Sequence, residues 1–361
     1  MNRLARIAGV VSFLLYLSSG TAGFAMPVDL TVMTQNVYIG ADGAPVLASP
    51  SPETIAAALA SIAANNFPAR AGAIAKEAAD AGGPLLIGLQ EADIIGAPTG
   101  TLNYTQILLD KLADIGLHYV IAGAHTGFNV AANGLSLTDR DVVLARTDVA
   151  GFTLSGSESH TFVNNASLTT PLGTLPLDRG YVLVNAMLDG IPFQFVSTHL
   201  ETDKSIGAAQ ANELLGALGT ATELQLVVGD FNALPTDMTH AEMVAAGFID
   251  IGSAVGAVGA TCCQAPDLDN PVSQLNGRID YVFERGFSSI DSAFLVGDKP
   301  FQDVRPRWPS DHAGVVATVD VPEPSAGALF AAARSAFVRR STVERISTDA
   351  VSVSAAPVAN T

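Results

Sequence analysis

Short apolar runs that end in polar residues recur along the chain, and one of them is especially informative. The run at 224–228 is rich in Leu and Val, and Gly229, Asp230 and, two residues later, Asn232 follow it. Such a run predicts a buried strand, and the residues past its end lie at the edge of the fold, where sites are usually built. Residues two apart in an extended segment project to one side, so Asp230 and Asn232 can address one ligand. A plain turn is the alternative, because Asp, Asn and Gly all favour turns.

The same patterning predicts strands and helices over most of the chain. Strands are predicted at 29–34, 84–89, 119–122, 142–145, 181–187, 193–197, 224–228, 279–283 and 313–319, and helical segments at 53–81, 103–115 and 206–218. Pro68 interrupts the first helical segment, so two helices or one kinked helix are expected. Asp189 and Gly190 join two of the strands, which predicts a hairpin. Because helices and strands interleave without strict alternation, we expect a mixed α/β domain of α+β type with largely antiparallel sheets.

Both ends of the 361-residue chain differ from its middle. Residues 1–25 combine a basic start, an apolar run at 7–17 and the small residues Gly23 and Ala25 at the cleavage positions, which predicts a signal peptide and a secreted, periplasmic or extracellular location. The apolar run is too short to favour a transmembrane helix, so no span is expected in the mature chain. Residues 26–320 are then one large domain.

Residues 321–361 are predicted to be a disordered or weakly structured tail, because they open with Val-Pro-Glu-Pro-Ser and continue in Ala, Ser, Thr and Val. That opening is similar to exosortase sorting signals. The apolar patch behind it is interrupted by Arg334 and is too short to span a bilayer, which favours a plain linker.

The net charge is −17, and because the two ends are slightly basic, by two charges and by one, it is −20 for residues 26–320. This charge argues against a basic nucleic-acid-binding surface. A nuclease is still possible, since a bound divalent cation can supply the charge that a phosphate needs.

The only two cysteines are neighbours, Cys262 and Cys263, so the chain has no disulfide framework. A vicinal disulfide and two free thiols are both possible. With no histidine near them in the sequence, the two cysteines are expected to make a poor zinc site.

Six polar clusters share one placement, at the end or the start of a predicted strand. They are Asn36, Gln90-Glu91, Thr198-His199, Asp230 with Asn232, Arg278-Ile279-Asp280 and Ser310-Asp311-His312. This placement predicts that the clusters converge on one site. Their carboxylates and amides suit Mg²⁺, Ca²⁺ or Mn²⁺, and histidines suit proton transfer near neutral pH. Since no covalent nucleophile is paired with a base, an activated water is the simpler attacker, which points to hydrolysis of a phosphate ester.

The strings Thr-Gln-Asn, Gln-Glu, Ser-Thr-His-Leu, Gly-Asp-Phe-Asn, Arg-Ile-Asp-Tyr and Ser-Asp-His occur here in the order seen in the endonuclease/exonuclease/phosphatase superfamily. The resemblance covers residues 28–320 and implies a four-layer α-β-β-α sandwich of two mainly antiparallel sheets. It also implies that Glu91 is the main ligand of a divalent metal, with Asn36 beside it and Asp311 completing the site. Mg²⁺ is the expected cofactor, with Mn²⁺ or Ca²⁺ possible.

By the same resemblance, Asp230 orients or deprotonates the attacking water and Asn232 holds a phosphate oxygen. His312 contacts the scissile phosphate, while Asp280 fixes its tautomer and raises its basicity. His199 resembles the second histidine of the deoxyribonuclease and sphingomyelinase branches, although a structural histidine is an alternative. The remaining four histidines lie outside these clusters.

Arg140 and Arg179 open stretches similar to the substrate-side strands of the family, and either guanidinium could hold phosphate. A solvent-facing ion pair is an equal alternative for each. The resemblance predicts a secreted, monomeric metal-dependent phosphodiesterase, with nucleic acid favoured over a phospholipid head group such as sphingomyelin or a phosphomonoester. A catalytically inactive surface-binding module is the alternative of another class.

Overall fold

The computed structural model describes residues 28–49, 51–132, 134–170, 173–219, 224–256 and 258–322. The signal peptide predicted at 1–25 lies outside these residues, and so does the predicted tail from residue 323 onward. Within the described residues, no helix is both long enough and apolar enough to cross a membrane.

The strands in chain order are β1 (Val28–Asn36), β2 (Leu86–Gln90), β3 (Ile94–Ala97), β4 (Gly100–Asn103), β5 (Tyr119–Ala132), β6 (Leu135–Arg146), β7 (Phe152–Thr161), β8 (Ala166–Thr170), β9 (Gly173–Leu177), β10 (Gly180–Leu188), β11 (Ile191–His199), β12 (Leu224–Asp230), β13 (Ile249–Asp250), β14 (Asp280–Arg285), β15 (Ser289–Val296) and β16 (Gly314–Val321). The helices are α1 (Ala44–Ala48), α2 (Pro52–Ala64), α3 (Phe67–Asp80), α4 (Tyr104–Asp114), α5 (Lys204–Leu218), α6 (Met238–Ala245) and α7 (Ile251–Ala254).

Two large sheets contain most of the strands. One has eight strands in the order β15-β16-β1-β2-β6-β3-β4, with β5 also paired to β6, and the other has six in the order β13-β14-β12-β11-β10-β7. Each sheet contains one parallel pair, β1 with β2 and β11 with β12, and the other pairs are antiparallel. The prediction of mainly antiparallel sheets is confirmed.

Three apolar cores separate the layers. The central core lies between the sheets and packs Val32 and Val143 of one against Phe195 and Leu226 of the other. A second core packs α3 and α4 on the outer face of the eight-stranded sheet, and a third packs α5 and α6 on the outer face of the six-stranded sheet. The order helix, sheet, sheet, helix is the predicted four-layer sandwich.

Local chemistry explains the best-predicted boundaries. The helical segment around Pro68 is two helices, because a proline is tolerated in the first turn of α3 but not inside a continuous helix. The predicted hairpin is β10 with β11, and its turn residues Asp189 and Gly190 both have positive φ, 49° and 83°. Such angles match the twist of a two-residue hairpin.

The prediction missed elements with little apolar content. β5 and β6 extend well beyond the predicted ranges 119–122 and 142–145. Their additional length is a polar antiparallel ladder, and its last residue pair is Ala132 with Leu135. β7 is a mostly exposed edge strand, and the small β8–β9 hairpin stands apart from both sheets. An alternation of apolar residues indicates a strand with one buried face. Strands that are held mainly by backbone hydrogen bonds lack this pattern, so the sequence did not predict them.

The two parallel pairs bring the predicted site together. In β1 and β2, Asn36 lies beside Gln90, so that Glu91 follows at the same edge. In the other sheet, His199 of β11 and Asp280 of β14 lie on either side of Asp230. The sheets face each other, so both edges meet at one end of the sandwich.

Candidate active site

Asn36 links the two sheets. Its Nδ2 donates to Oε1 of Glu91 at 3.1 Å and to Oδ2 of Asp230 at 3.2 Å. Its Oδ1 accepts the backbone N–H of Tyr38 at 3.0 Å, and the N–H of Ile39 donates to the other oxygen of Glu91 at 3.0 Å. One buried amide therefore fixes the separation between a carboxylate of each sheet.

The backbone at the site is held in unfavourable conformations. Tyr38, Glu91 and Asn232 have φ values of 58°, 54° and 47°. The left-handed region costs a non-glycine residue roughly 1 kcal/mol or more, and such strain is concentrated at functional sites. At Gly229, a side chain would collide with the carbonyl oxygen of Thr198, which explains why glycine precedes Asp230.

Glu91 and Asp311 are the carboxylates that fit a divalent cation. Burial raises the pKa of Asp311 to about 6, and the negative charge of Glu91 adds to that rise, while His312 opposes it. The charge of Glu91 acts on Asp311, and a cation bound by both carboxylates would offset their repulsion. Both carboxylates offer hard oxygens, as Mg²⁺, Mn²⁺ and Ca²⁺ prefer. Asn36 lies beside Glu91, but it turns its Nδ2 toward that carboxylate while its Oδ1 accepts the N–H of Tyr38.

Asp230 lies at the centre of the site. Its Oδ1 accepts the backbone N–H of Asn232 at 2.8 Å, while Oδ2 lies 3.5 Å from Nε2 of His199 and 3.8 Å from Nε2 of His312. Burial raises the pKa of Asp230 to about 7, and the charge of Asp280 adds to the rise. A carboxyl group that titrates near neutral pH is suited to accept a proton from water.

The stretch after β12 is both a turn and part of the site. The hydrogen bond from the N–H of Asn232 to Asp230 closes a turn, as in the alternative interpretation of the sequence. Because Asn232 is left-handed, its side chain does not simply continue the strand alternation, and its Nδ2 donates to the carbonyl of Leu200 at 2.9 Å.

Asp280 and His312 form a buried pair, with 2.9 Å between Oδ2 and Nδ1. Burial lowers the pKa of His312, but the charges of Asp280, Asp230 and Asp311 outweigh it and hold the pKa well above its ordinary value. His312 is therefore a charged imidazolium with an Nε2 proton on the side of Asp230. Arg278 is bound to Asp250 by two hydrogen bonds of 2.8 and 2.7 Å, which leaves Asp280 to the histidine.

His199 is held by a cationic side chain, whereas His312 is held by a carboxylate. Nη1 of Arg179 lies 2.8 Å from its Nδ1. A guanidinium only donates, so Nδ1 accepts and the ring proton lies on Nε2, which is on the side of Asp230. Burial and the charge of Arg179 hold the pKa of His199 well below its ordinary value. The site thus contains one charged and one neutral histidine.

The structure separates the two arginine candidates. Arg179 lies in the site, 3.9 Å from Asp139, and its side chain is only 19% exposed, so its ion pair is not a solvent-facing one. Arg140 is partly buried, and its guanidinium makes no hydrogen bond or ion pair with any residue that the structure describes.

The sequence interpretation missed Asp139 and Asp141, which flank Arg140 on β6 and are both buried. Asp141 lies 3.8 Å from Nδ1 of His199 and 3.9 Å from Nδ1 of His125, a histidine that the sequence had left outside the clusters. Burial raises the pKa of Asp139 to about 7. An acidic pair spaced by two in a strand was the available signal, because both members point to one face.

Cys262 and Cys263 are joined to each other by a disulfide. A poor zinc site was expected because no histidine is near them in the sequence, but the fold brings one close in space. Sγ of Cys263 is 3.8 Å from Nε2 of His312, which is 49 residues away in the sequence. Cys262 also pairs through its backbone with His312, as an isolated bridge. Proximity in space was not visible as proximity in sequence.

The sequence profile of the Endonuclease/Exonuclease/phosphatase family matches residues 33–312. A comparison with curated proteins finds no match. Among solved structures, an endonuclease/exonuclease/phosphatase family protein from Bacteroides thetaiotaomicron is 19% identical, with a TM-score of 0.55, over 83% of this chain and 100% of that one.

A second such protein, from Bacteroides vulgatus, is 14% identical with a TM-score of 0.54, over 82% of this chain and 100% of the other. TDP2 from D. rerio, solved with a single strand DNA product, is 19% identical with a TM-score of 0.51, over 81% and 98%. At such identities these likenesses show the fold, while the profile match spans both sheets and every cluster of the site. The chain belongs to the endonuclease/exonuclease/phosphatase family and is a metal-dependent phosphoric ester hydrolase.

Proposed function

We propose that this chain is a secreted phosphodiesterase that uses Mg²⁺ and hydrolyses the phosphodiester bonds of nucleic acid. The observation that carries the proposal is the arrangement around Asp230. A charged His312 and a neutral His199 have their Nε2 atoms 3.8 and 3.5 Å from the same oxygen of that carboxylate. A phosphate placed there meets a base and two N–H donors.

In this mechanism Asp230 accepts the proton of the attacking water, while Asn36 holds the carboxylate in place through its Nδ2. His312 and His199 each donate an Nε2 proton to oxygens of the phosphate, and their tautomers are fixed in advance by Asp280 and Arg179. A divalent cation bound by Glu91 and Asp311 would neutralise charge on the phosphoryl oxygens. All these residues belong to one chain, which supports a monomer.

The charge balance of the site favours a diester over a monoester. Its acids outnumber its cations: Glu91, Asp230, Asp280 and Asp311 stand against His312 and Arg179. A phosphodiester carries one negative charge and a phosphomonoester about two at neutral pH. The diester therefore meets less repulsion in this buried setting.

A nucleic-acid substrate is supported by the solved TDP2 that binds a single strand DNA product. The net charge of −20 for residues 26–320, which follows from −17 for the whole chain, leaves little basic surface for a duplex backbone. We therefore favour a flexible single strand, whose scissile phosphate can enter the site with few other phosphate contacts. Export, supported by residues 1–25, places that substrate outside the cytoplasm.

Parallel assays test the substrate. Chelator-stripped protein is given Mg²⁺ and then single-stranded DNA, RNA, sphingomyelin, inositol phosphates or an aryl phosphodiester. We expect cleavage of single-stranded nucleic acid that depends on the added Mg²⁺. Cleavage of sphingomyelin alone would mean that the substrate is a phospholipid and not nucleic acid. If no diester is hydrolysed, the inactive binding module is favoured.

A matched pair of variants tests the site. Asp280→Asn keeps the shape of the side chain but removes the charge that holds His312, so kcat should fall by about 10²–10⁴-fold. Glu284→Gln is the control, because Glu284 is a buried carboxylate on the same strand and serves only the N–H of Phe287. Equal activity of both variants, with unchanged thermal unfolding, would exclude the role of Asp280.

Secretion is tested on the protein recovered from the culture medium or periplasm of an exporting host. Its N-terminal residue should be Met26, since the small residues Gly23 and Ala25 occupy the two cleavage positions before it. Retention of Met1 on exported protein would contradict the signal peptide.

A further inference from the structure

The two cysteines are the feature of the site that phosphoester hydrolysis leaves unused. Sγ of Cys263 is 3.8 Å from Nε2 of His312, and the two sulfurs and a ring nitrogen of His312 all lie within 4.8 Å of one another. Cys263 is only partly buried, so a small reductant or an ion can reach its sulfur from solvent.

We propose that Cys262, Cys263 and His312 form a second metal site, for a soft cation of the Zn²⁺ class, which exists only when the bond between the sulfurs is reduced. Thiolates with an imidazole are the ligands that such ions prefer, unlike the hard oxygens of Glu91 and Asp311. The site therefore differs in chemistry from the Mg²⁺ site beside it.

The geometry of His312 suits a metal ligand. Its Nδ1 is held by Oδ2 of Asp280 at 2.9 Å, which in the neutral ring places the proton on Nδ1 and the lone pair on Nε2. A carboxylate behind the imidazole is the usual support of a zinc-binding histidine. Across a tetrahedral zinc, sulfur and nitrogen ligands are roughly 3.6 Å apart, given bonds of about 2.3 and 2.0 Å. The distance of 3.8 Å between Cys263 and His312 is close to this value.

The three ligands leave the fourth position of the cation to water, as in other zinc sites with three protein ligands. Oδ2 of Asp230 lies 3.8 Å from Nε2 of His312 but does not group with the two sulfurs. Since Asp280 engages Nδ1 of His312, we assign Asp280 the supporting role.

Opening the site requires a dithiol reductant. One thiolate of the reductant attacks a cysteine sulfur, the bond between the cysteines breaks, and its electron pair leaves on the other sulfur as a thiolate. The second thiol of the reductant then displaces the first cysteine, which yields an oxidised cyclic disulfide and two cysteine thiols. A divalent cation afterwards displaces one proton from each thiol and the Nε2 proton of the His312 imidazolium, and water takes up the three protons.

The consequence for activity rests on the proposed function. A cation on Nε2 of His312 removes the N–H donor that faces the phosphate, so the reduced, metal-bound enzyme is inactive. Because cytoplasmic thiols are kept reduced and exported ones become oxidised, the enzyme is silent before export and active after it.

Cadmium is the probe for the site, because its bonds to sulfur absorb in the ultraviolet. The full chain is prepared oxidised and dithiol-reduced, freed of reductant without air, and dialysed against Cd²⁺ in a large excess of Mg²⁺. We expect one Cd²⁺ per chain with sulfur-to-metal absorption in the reduced form and none in the oxidised form. Equal uptake by both forms, or uptake without that absorption, would overturn the site.

Two variants identify the ligands. C262S/C263S should bind no Cd²⁺ in either state while unfolding at the same temperature as the oxidised parent. Reduced H312Q keeps both sulfurs but should bind Cd²⁺ at least about 10-fold more weakly, the usual effect of losing a supported ligand. Unchanged affinity of H312Q would show that the histidine is not a ligand and would refute the site.

Activity is measured separately, so that the two proposals fail in different ways. One equivalent of Zn²⁺ should inhibit the reduced enzyme by more than about 10-fold and leave the oxidised enzyme and C262S/C263S unaffected. Cd²⁺ binding without inhibition would overturn the regulatory consequence. Absence of hydrolysis from every form would refute the proposed function, while Cd²⁺ binding still decides the site.

Discussion

At the scale of single residues, the site depends on what holds the Nδ1 atoms of its two histidines. A carboxylate holds that of His312 and a guanidinium holds that of His199, at 2.9 and 2.8 Å. The first partner raises the pKa of its histidine and the second lowers it. Two side chains of one type thus take different charges 3.8 and 3.5 Å from the same oxygen of Asp230.

Arg179→Met tests this account. The change removes the donor to Nδ1 of His199, so the pKa of that histidine should rise and both neutral tautomers become populated. We expect kcat/KM to fall by about 10–100-fold, as for other residues that orient a functional histidine. Nitrogen NMR of His199 should show Nε2–H alone in the parent and a mixture in the variant.

Arg140→Met is the matched control, since the same change is made where the guanidinium contacts no described polar partner. It should leave kcat/KM within about twofold, the effect of an ordinary surface change. Equal losses in both variants, or an unaltered tautomer of His199 in Arg179→Met, would contradict the assignment.

At the scale of elements, α3 holds two loops of the site through one side chain. Arg70 is fully buried and donates to four backbone carbonyls, those of Val37 at 2.6 Å, Tyr38 at 2.9 Å, Asn65 at 2.9 Å and Pro309 at 3.0 Å. Two of these follow Asn36, and Pro309 precedes the Ser310-Asp311-His312 cluster. The helix therefore fixes the spacing between the Asn36–Glu91 side of the metal site and Asp311.

Arg70→Met should lower the free energy of unfolding by about 3–5 kcal/mol, because it leaves buried carbonyls without donors. The Mg²⁺ dissociation constant should also rise by about 10-fold, since the two sides of the metal site lose their common support. Urea unfolding and Mg²⁺ titration by calorimetry measure the two effects.

Arg285→Met serves for comparison, because Arg285 also donates to backbone carbonyls, those of Ala246 and Gly219, but far from the metal site. It should reduce stability without changing Mg²⁺ affinity. A similar loss of affinity in both variants would mean that general destabilisation, and not the position of α3, is responsible.

At the scale of the whole molecule, the fold buries a large negative charge. Burial raises the pKa values of Asp230 and Asp139 to about 7 and that of Asp311 to about 6, from 3.8. The folded state therefore holds protons that the unfolded state releases, and stability falls as pH rises through these values. His312, with its raised pKa, contributes in the same direction, because its stabilisation is lost as pH rises.

Metal-free protein should consequently unfold at a lower temperature at pH 8.5 than at pH 6.5, by at least about 4 °C. Mg²⁺ at about 100 times the dissociation constant measured at pH 6.5 adds about 2.7 kcal/mol at that pH. The same Mg²⁺ concentration should add more at pH 8.5, where the carboxylates are ionised and bind the cation more tightly. Differential scanning calorimetry with and without chelator measures both differences.

Asp311→Asn provides the control for this effect. The variant should show a smaller dependence on pH and little gain from Mg²⁺, because one of the two repelling carboxylates is gone. A melting temperature of the parent that rises from pH 6.5 to pH 8.5 without metal would contradict the buried-acid account.

The elements with strong local signals could be predicted from the sequence. Apolar runs marked β2, β12 and β16, and Gly229 closed the run of β12. Pro68 marked the division between α2 and α3. The turn residues Asp189 and Gly190 fixed a hairpin, because few other residues tolerate their backbone angles. Exposed strands such as β7 gave no such signal, since the backbone alone pairs them.

By itself, the sequence determined the family and the chemical inventory of the site. Polar residues at the ends of parallel strands, or at the end of one strand and the start of its antiparallel neighbour, share one edge of a sheet. Tertiary structure alone decided which partners meet. Asn36 reaches Asp230 across 194 positions, and Cys263 reaches His312 across 49. These contacts depend on how the two sheets and their loops pack, and no local spacing encodes that packing. The charge of each histidine and the presence of two sulfurs beside His312 are therefore determined by the tertiary structure.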